Sequence, residues 1–153
     1  MTLANAGYAN ISGYDDNDVG LYIGYDANAT GNVTVTDVSN ISGDYNESSM
    51  QINSGALVGG YNGTGNLTVA NGAYVNSESS DANDVSIYLG YNANATGNLT
   101  VDGVEAGSEY ESDLQVSGGS LVVGGAGYGT LIISNGGYVD AVGSDNNSVG
   151  VTI

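Results

Sequence analysis

Apolar and polar residues alternate in short bursts along this chain, with a period of two. Met1-Thr2-Leu3, Val33-Thr34-Val35, Leu67-Thr68-Val69, Leu99-Thr100-Val101 and Leu131-Ile132-Ile133 form one series, spaced by 32, 34, 32 and 32 residues. Leu21-Tyr22-Ile23, Ile87-Tyr88-Leu89 and Leu114-Gln115-Val116 repeat the alternation between them. A period of two places one side chain inside and the next outside, as in a strand with one buried face. Gly, Asn and Ser interrupt every candidate helix, and no apolar stripe of helical spacing persists.

The alternation belongs to a longer repeat. The stretch VGLYIGYDANATGNVTV from Val19 returns as VSIYLGYNANATGNLTV from Val85, with 12 identities in 17 positions at an offset of 66. Two patterns alternate between the triplets. Pattern A starts at Asn5, Asn71 and Asn135, and pattern B at Asp37 and Asp102. Strands of a few residues, Gly and Asn at corners and a lap near 32 residues predict an all-β fold, a single parallel β-solenoid over residues 1–153. Its coils are expected at about 1–32, 33–66, 67–98, 99–130 and 131–153, alternating A and B, with about three strand faces and a longer loop in each.

Stacking gives the repetition a physical cause. When residue i lies over its equivalent one lap later, the same environment recurs and the same side chain is the best answer each time. Met1, Val33, Leu67, Leu99 and Leu131 are expected to form one interior ladder, and Leu3, Val35, Val69, Val101 and Ile133 a second. Thr2, Thr34, Thr68 and Thr100 then line the outside. Each buried aliphatic side chain contributes roughly 1.5 to 3 kcal/mol. Gly24, Gly60, Gly90 and Gly124 follow strand ends at equivalent points, where a positive φ or tight corner is expected.

Composition narrows the chemistry. The 153 residues include 17 acidic side chains and no Lys, Arg, His, Cys or Pro, giving a net charge of −17. Nucleic acid and anionic membrane surfaces are excluded as direct partners, because phosphate neutralisation requires Lys or Arg. No stretch is long and apolar enough for membrane insertion as a helix. Without cysteine there are neither disulfides nor thiolate metal sites.

The segments LVGGYNGTGNLTVANGAYV from Leu57 and LVVGGAGYGTLIISNGGYV from Leu121 resemble the repeats of bacterial passenger-type right-handed parallel β-helices, as found in autotransporter adhesins. The likeness extends over nearly the whole chain. It implies an extracellular or cell-surface location and a structural or adhesive role.

Parallel β-helices also carry polysaccharide lyases and glycosidases, so a polysaccharide-acting enzyme is the minor alternative. A lyase needs a base and a cation to hold the uronate, and no Arg or Lys is present. A glycosidase needs two carboxylates at a set separation, but no acidic pair departs from the repeat. No catalytic residue and no cofactor is assigned, and the chain is read as a non-enzyme. The acidic loops holding Asp15 and Asp18, Asp81 and Asp84, and Asp145 recur in the A coils, and their oxygens are of the kind Ca²⁺ prefers. They match neither the helix-loop-helix nor the nonapeptide calcium pattern, and a solvated polar loop is the simpler reading.

Ten N-x-S/T sequons occur. Asn28, Asn46 and Asn94 are the glycosylation candidates, the first two with Asp two residues earlier. Sequons overlapping the strand triplets read as ladder residues instead. Tyrosine, the only aromatic, recurs as Tyr8, Tyr74 and Tyr138, as Tyr22 and Tyr88, and as Tyr25 and Tyr91. That spacing predicts ring ladders at every second turn, with a sugar-binding or docking surface as the alternative.

A solenoid has two open hydrogen-bonding faces, which natural examples cap or blunt with charge. Neither Met1, Thr2 and Leu3 nor Val149, Val151 and Ile153 carries a capping signal. These residues are therefore the expected assembly edges of a self-assembling extracellular filament, in which copies of the chain stack head to tail. The alternative is a segment of an autotransporter-type adhesin passenger, with glycans as partners. Joining the last coil to Met1 places an A coil on an A coil, so the count favours neither reading.

Overall fold

The computed structural model describes residues 1–12, 20–41, 44–79, 85–103, 111–142 and 151–153, with the backbone alone at 38–41, 44–45 and 85–86. The chain winds through five coils. The first contains β1 (Thr2–Leu3), β2 (Tyr8–Ser12) and β3 (Leu21–Ile23). The second contains β4 (Thr30–Thr36), the pair β5 (Val38–Ile41) and β6 (Asp44–Glu47), then β7 (Ser49–Asn53) and β8 (Leu57–Gly59). The third has β9 (Thr64–Ala70), β10 (Tyr74–Glu78) and β11 (Val85–Leu89), and the fourth β12 (Thr96–Asp102), β13 (Asp113–Ser117) and β14 (Ser120–Val123). The fifth has β15 (Tyr128–Ser134), β16 (Tyr138–Val142) and β17 (Val151–Thr152).

Equivalent strands of successive coils pair in parallel and generate three five-stranded sheets. The first is β1-β4-β9-β12-β15, the second β2-β7-β10-β13-β16 and the third β3-β8-β11-β14-β17. The parallel β-solenoid of about five coils expected from the sequence is therefore the fold. Register in the first sheet is unbroken. Val33 lies against Leu67, Leu67 against Leu99, and Leu99 against Leu131, while Val35, Val69, Val101 and Ile133 form the neighbouring row. Thr34, Thr68 and Thr100 pair with one another on the outer side.

The core is a narrow aliphatic tube. Val35, Val69 and Val101 from the first sheet, Met50, Val75 and Leu114 from the second, and Leu57, Ile87 and Leu121 from the third are all fully buried. Aliphatic side chains from three walls fill it with no buried charged residue among the described ones. The corners are backbone devices. Gly24, Gly60, Gly90 and Gly124 adopt φ of 71°, 73°, 73° and 80°, as their position after a strand predicts. At Gly60 a Cβ would also collide with the Thr96 carbonyl of the next coil, so glycine is required there twice over.

One element was not foreshadowed by the repeat. The B coil between β4 and β7 carries an antiparallel ribbon, β5 with β6, in which Val38 pairs with Glu47 and Ile41 with Asp44. It is two-stranded and peripheral to the three sheets, and it accounts for the long polar insert after Asp37.

Candidate functional site

The corner after the third sheet concentrates the aromatic side chains. Tyr25, Tyr61 and Tyr91 each follow a positive-φ glycine, and their rings lie one above another. Tyr25 and Tyr61 are stacked with centroids 4.9 Å apart and planes 4° from parallel, and Tyr61 and Tyr91 are stacked at 5.1 Å and 18°. The separation is that of neighbouring strands, so the coil pitch itself sets the stack. Tyr22 meets Tyr25 and Tyr61 edge-on at 5.4 and 5.1 Å, and Tyr88 meets Tyr91 edge-on at 4.9 Å. Offset stacks and edge-on pairs are the two favoured aromatic geometries. The expectation of a ladder at every second turn is corrected here, because Tyr61 of the B coil fills the gap between Tyr25 and Tyr91. The column stops at the next coil, where Gly125 takes the equivalent place. Burial and then the neighbouring phenols Tyr61, Tyr91 and Tyr25 raise the pKa of Tyr22 above that of a free tyrosine, so its hydroxyl is protonated at neutral pH.

Beside this column the corner alternates in length. Tyr25 reaches Thr30 through Asp26 to Ala29, whereas Tyr61 reaches Thr64 through Asn62 and Gly63 alone. Backbone bonds from Asn62 N to Tyr25 O and from Thr64 N to Ala29 O hold the two lengths in register. The A corners therefore project Ala27-Asn28 and Ala93-Asn94, and a polar cleft of about 340 Å³ lies between them over Asn62 and Thr64. Asn28 and Asn94 are exposed and in the left-handed region, with φ of 65° and 68°.

Asn46 is placed differently. It is exposed on β6, but Ser48, the hydroxyl residue of its sequon, is fully buried. Sequons in the first sheet are part of an amide ladder: Asn66 Nδ2 donates to Asn32 Oδ1 and Asn98 Nδ2 to Asn66 Oδ1, both at 2.8 Å. Asn92 Nδ2 likewise donates to Asn62 Oδ1 at 2.9 Å.

The candidate calcium ligands Asp15, Asp18, Asp81, Asp84 and Asp145 lie outside the described residues, as does Val149. Among the described residues no three acidic side chains converge as a cation site. Two carboxylates outside the expected site residues are perturbed in part by their neighbours. Asp113 is held above the usual carboxylate range by burial and then by the charges of Asp140, Glu47 and Glu111, and its Oδ1 is buried without a partner. Asp102 is held below that range because its carboxylate accepts bonds from Ser134 Oγ at 2.6 Å and Asn135 Nδ2 at 2.8 Å.

The outermost coils carry the remaining sequence-derived positions. Met1 donates its amino group to Asn32 O at 2.8 Å, and Thr2 and Leu3 pair with Thr34 and Val35. Val151 pairs with Leu121, and Ile153 is almost wholly exposed. Ile133 is 50% exposed, where its equivalent Val101, one coil inward, is 0% exposed. No protein-family model, no curated protein and no solved structure matches the chain.

Proposed function

We propose that this chain is a non-catalytic structural subunit of an extracellular or cell-surface fibre, in which β-solenoids of successive copies stack head to tail. The observation that supports this reading most is the contrast between equivalent rows. Leu99 and Val101 are completely buried by the coil that follows them, whereas Leu131 and Ile133 present the same aliphatic surface and the same strand edge half-open. A surface whose shape, register and polarity repeat those of the coil below is complementary to another coil of the same kind. A contact between unlike faces of identical copies does not close on itself and propagates as a filament.

The charge distribution agrees with a structural role. A rod with 17 acidic side chains and no cation repels its neighbours side by side, which leaves the aliphatic coil faces as the favoured contact. Extracellular placement rests on the resemblance to passenger-type repeats. The same repeats favour the second reading, in which the coils belong to an autotransporter-type adhesin and the next coil comes from a longer passenger rather than from another copy.

Negative-stain imaging of the purified chain at increasing concentration tests the first reading. Unbranched rods that lengthen with concentration and carry no lateral bundles are the expected result. Short rods of one length at every concentration contradict it and leave the passenger reading.

A further inference from the structure

The chain contains no Cys, Trp or His, so its 12 tyrosines and two methionines are its only readily oxidised side chains. Met50 is fully buried in the core. Five of the described tyrosines are gathered at one corner, three of them in a continuous stack whose members belong to three consecutive coils. The stack is open to solvent at its edges: Tyr25 is 54% and Tyr91 37% exposed. Its central ring, Tyr61, touches both neighbours and also the edge of Tyr22.

From this geometry we infer that the tyrosine column is an oxidative cross-linking site, at which a dityrosine bond joins Tyr61 to Tyr25 or to Tyr91 and so ties one coil covalently to the next. The reaction requires a one-electron oxidant, of the kind generated by peroxide-driven haem oxidation. The oxidant removes one electron from each of two phenols, and each loses its hydroxyl proton to water. The resulting neutral phenoxyl radicals carry spin at the carbons ortho to oxygen. A new carbon–carbon bond forms between an ortho carbon of Tyr61 and one of its stacked neighbour. The hydrogens on the joined carbons then leave as protons, and both oxygens are reprotonated to phenols. The net change is the loss of two electrons and two protons.

The surroundings suit this chemistry. Coil pitch holds the partner rings at 4.9 and 5.1 Å, so a radical formed at an exposed member meets its partner without chain rearrangement. The cross-link also fills a structural gap, since a rod without cysteine has no disulfide to pin its coils. The site depends only on geometry within one chain and is independent of end-to-end assembly.

The test is photo-oxidation of the dilute full chain with a ruthenium–persulfate one-electron oxidant. Dityrosine fluorescence and intact mass are followed, and the linked peptides are mapped after cleavage at acidic residues. The expected product is a monomer lighter by two hydrogens, with Tyr61 joined to Tyr25 or Tyr91. Tyr61→Phe keeps the stacked ring but removes the phenol, and the intramolecular product should disappear. Tyr128→Phe, which alters the 70% exposed but unstacked Tyr128, should leave the yield unchanged. Linked peptides that follow exposure rather than the stack, products only between molecules, or an unchanged yield in Tyr61→Phe would each overturn the assignment.

Discussion

Val101 and Ile133 occupy the same row of the same sheet, one coil apart, yet the first is fully buried and the second half exposed. Both end triplets that are aliphatic at the first and third positions, Leu99-Thr100-Val101 and Leu131-Ile132-Ile133. What differs is the coil beyond. In a quasi-one-dimensional fold each layer is stabilised by its two neighbours, so position along the axis decides how much a side chain contributes, and the identity of the residue does not.

The largest expected effect comes from deleting the same aliphatic group in the two places. Leu99→Ala should cost about 2 to 5 kcal/mol, since a fully enclosed side chain leaves a cavity among three walls. Leu131→Ala, in a half-open row, should cost about 1 kcal/mol. Urea melts of the dilute chain measure both, and equal costs would mean that burial along the axis is already uniform. A backbone pair sharpens the contrast. Gly60 and Gly124 share nearly the same positive φ, but a Cβ at Gly60 would strike the Thr96 carbonyl whereas at Gly124 it reaches only ordinary contact distance. Gly124→Ala should therefore cost about 1 to 2 kcal/mol from left-handed backbone strain alone. Gly60→Ala should cost clearly more, and a matching pair of melting temperatures would deny the close approach of the next coil.

Smaller differences are expected at the buried serines. Ser112 Oγ donates to Asp102 O at 2.6 Å and accepts from Gly72 N at 3.0 Å, so Ser112→Ala strands Gly72 N, leaves Asp102 O only its bond from Asn71 N at 3.3 Å, and should cost about 1 to 3 kcal/mol. Ser48 is equally buried but its Oγ has no partner, so Ser48→Ala should be neutral or stabilising.

The smallest effects are those of pH, and they carry opposite signs. Asp113 has a raised folded pKa, so its contribution is complete below the ordinary aspartate pKa and is lost as pH rises through the folded value. Asp113→Asn should then stabilise the chain at pH 7 and give no gain in acid. Asp102 has a lowered folded pKa, so its contribution is present above the ordinary value and is lost as pH falls through the folded one. Ser134→Ala, which removes a fifth-coil donor to Asp102, should weaken that acid transition. Thermal melts from pH 2 to pH 7 read both, and parallel profiles for the two variants would contradict the assignment of their causes.

Much of the fold was legible because the interior imposes one demand at every lap. The triplets at Val33, Leu67, Leu99 and Leu131 name the core rows directly, and the glycines after the third-sheet strands name the corners. The tyrosine column was only half legible. Tyr25 and Tyr91 stand in matching words, but Tyr61 lies in a corner two residues shorter, so aligning A coils with A coils passes over it. A gapped comparison anchored on Gly24, Gly60 and Gly90 would have found it. The ribbon of β5 and β6 was not legible, because it arises in the insert of a B coil, where the repeat constrains nothing, and the perturbation of Asp113 at the start of β13 was not, because its burial and the charges of Asp140 and Glu47 come from other coils. The burial of Ser48 and Ser112 was equally hidden, since a serine at a corner reads as solvated until the next coil covers it.

The most direct test of the proposed end-to-end stacking is residue-resolved hydrogen exchange as a function of protein concentration. The account predicts that amides of β1 and β2 at one face and of β15 and β16 at the other gain protection together as concentration rises, while β9 and β10 do not change, and that Ile133→Asp abolishes the gain. Protection of the two faces that is independent of concentration, or a gain confined to the flanks of the rod, would contradict it.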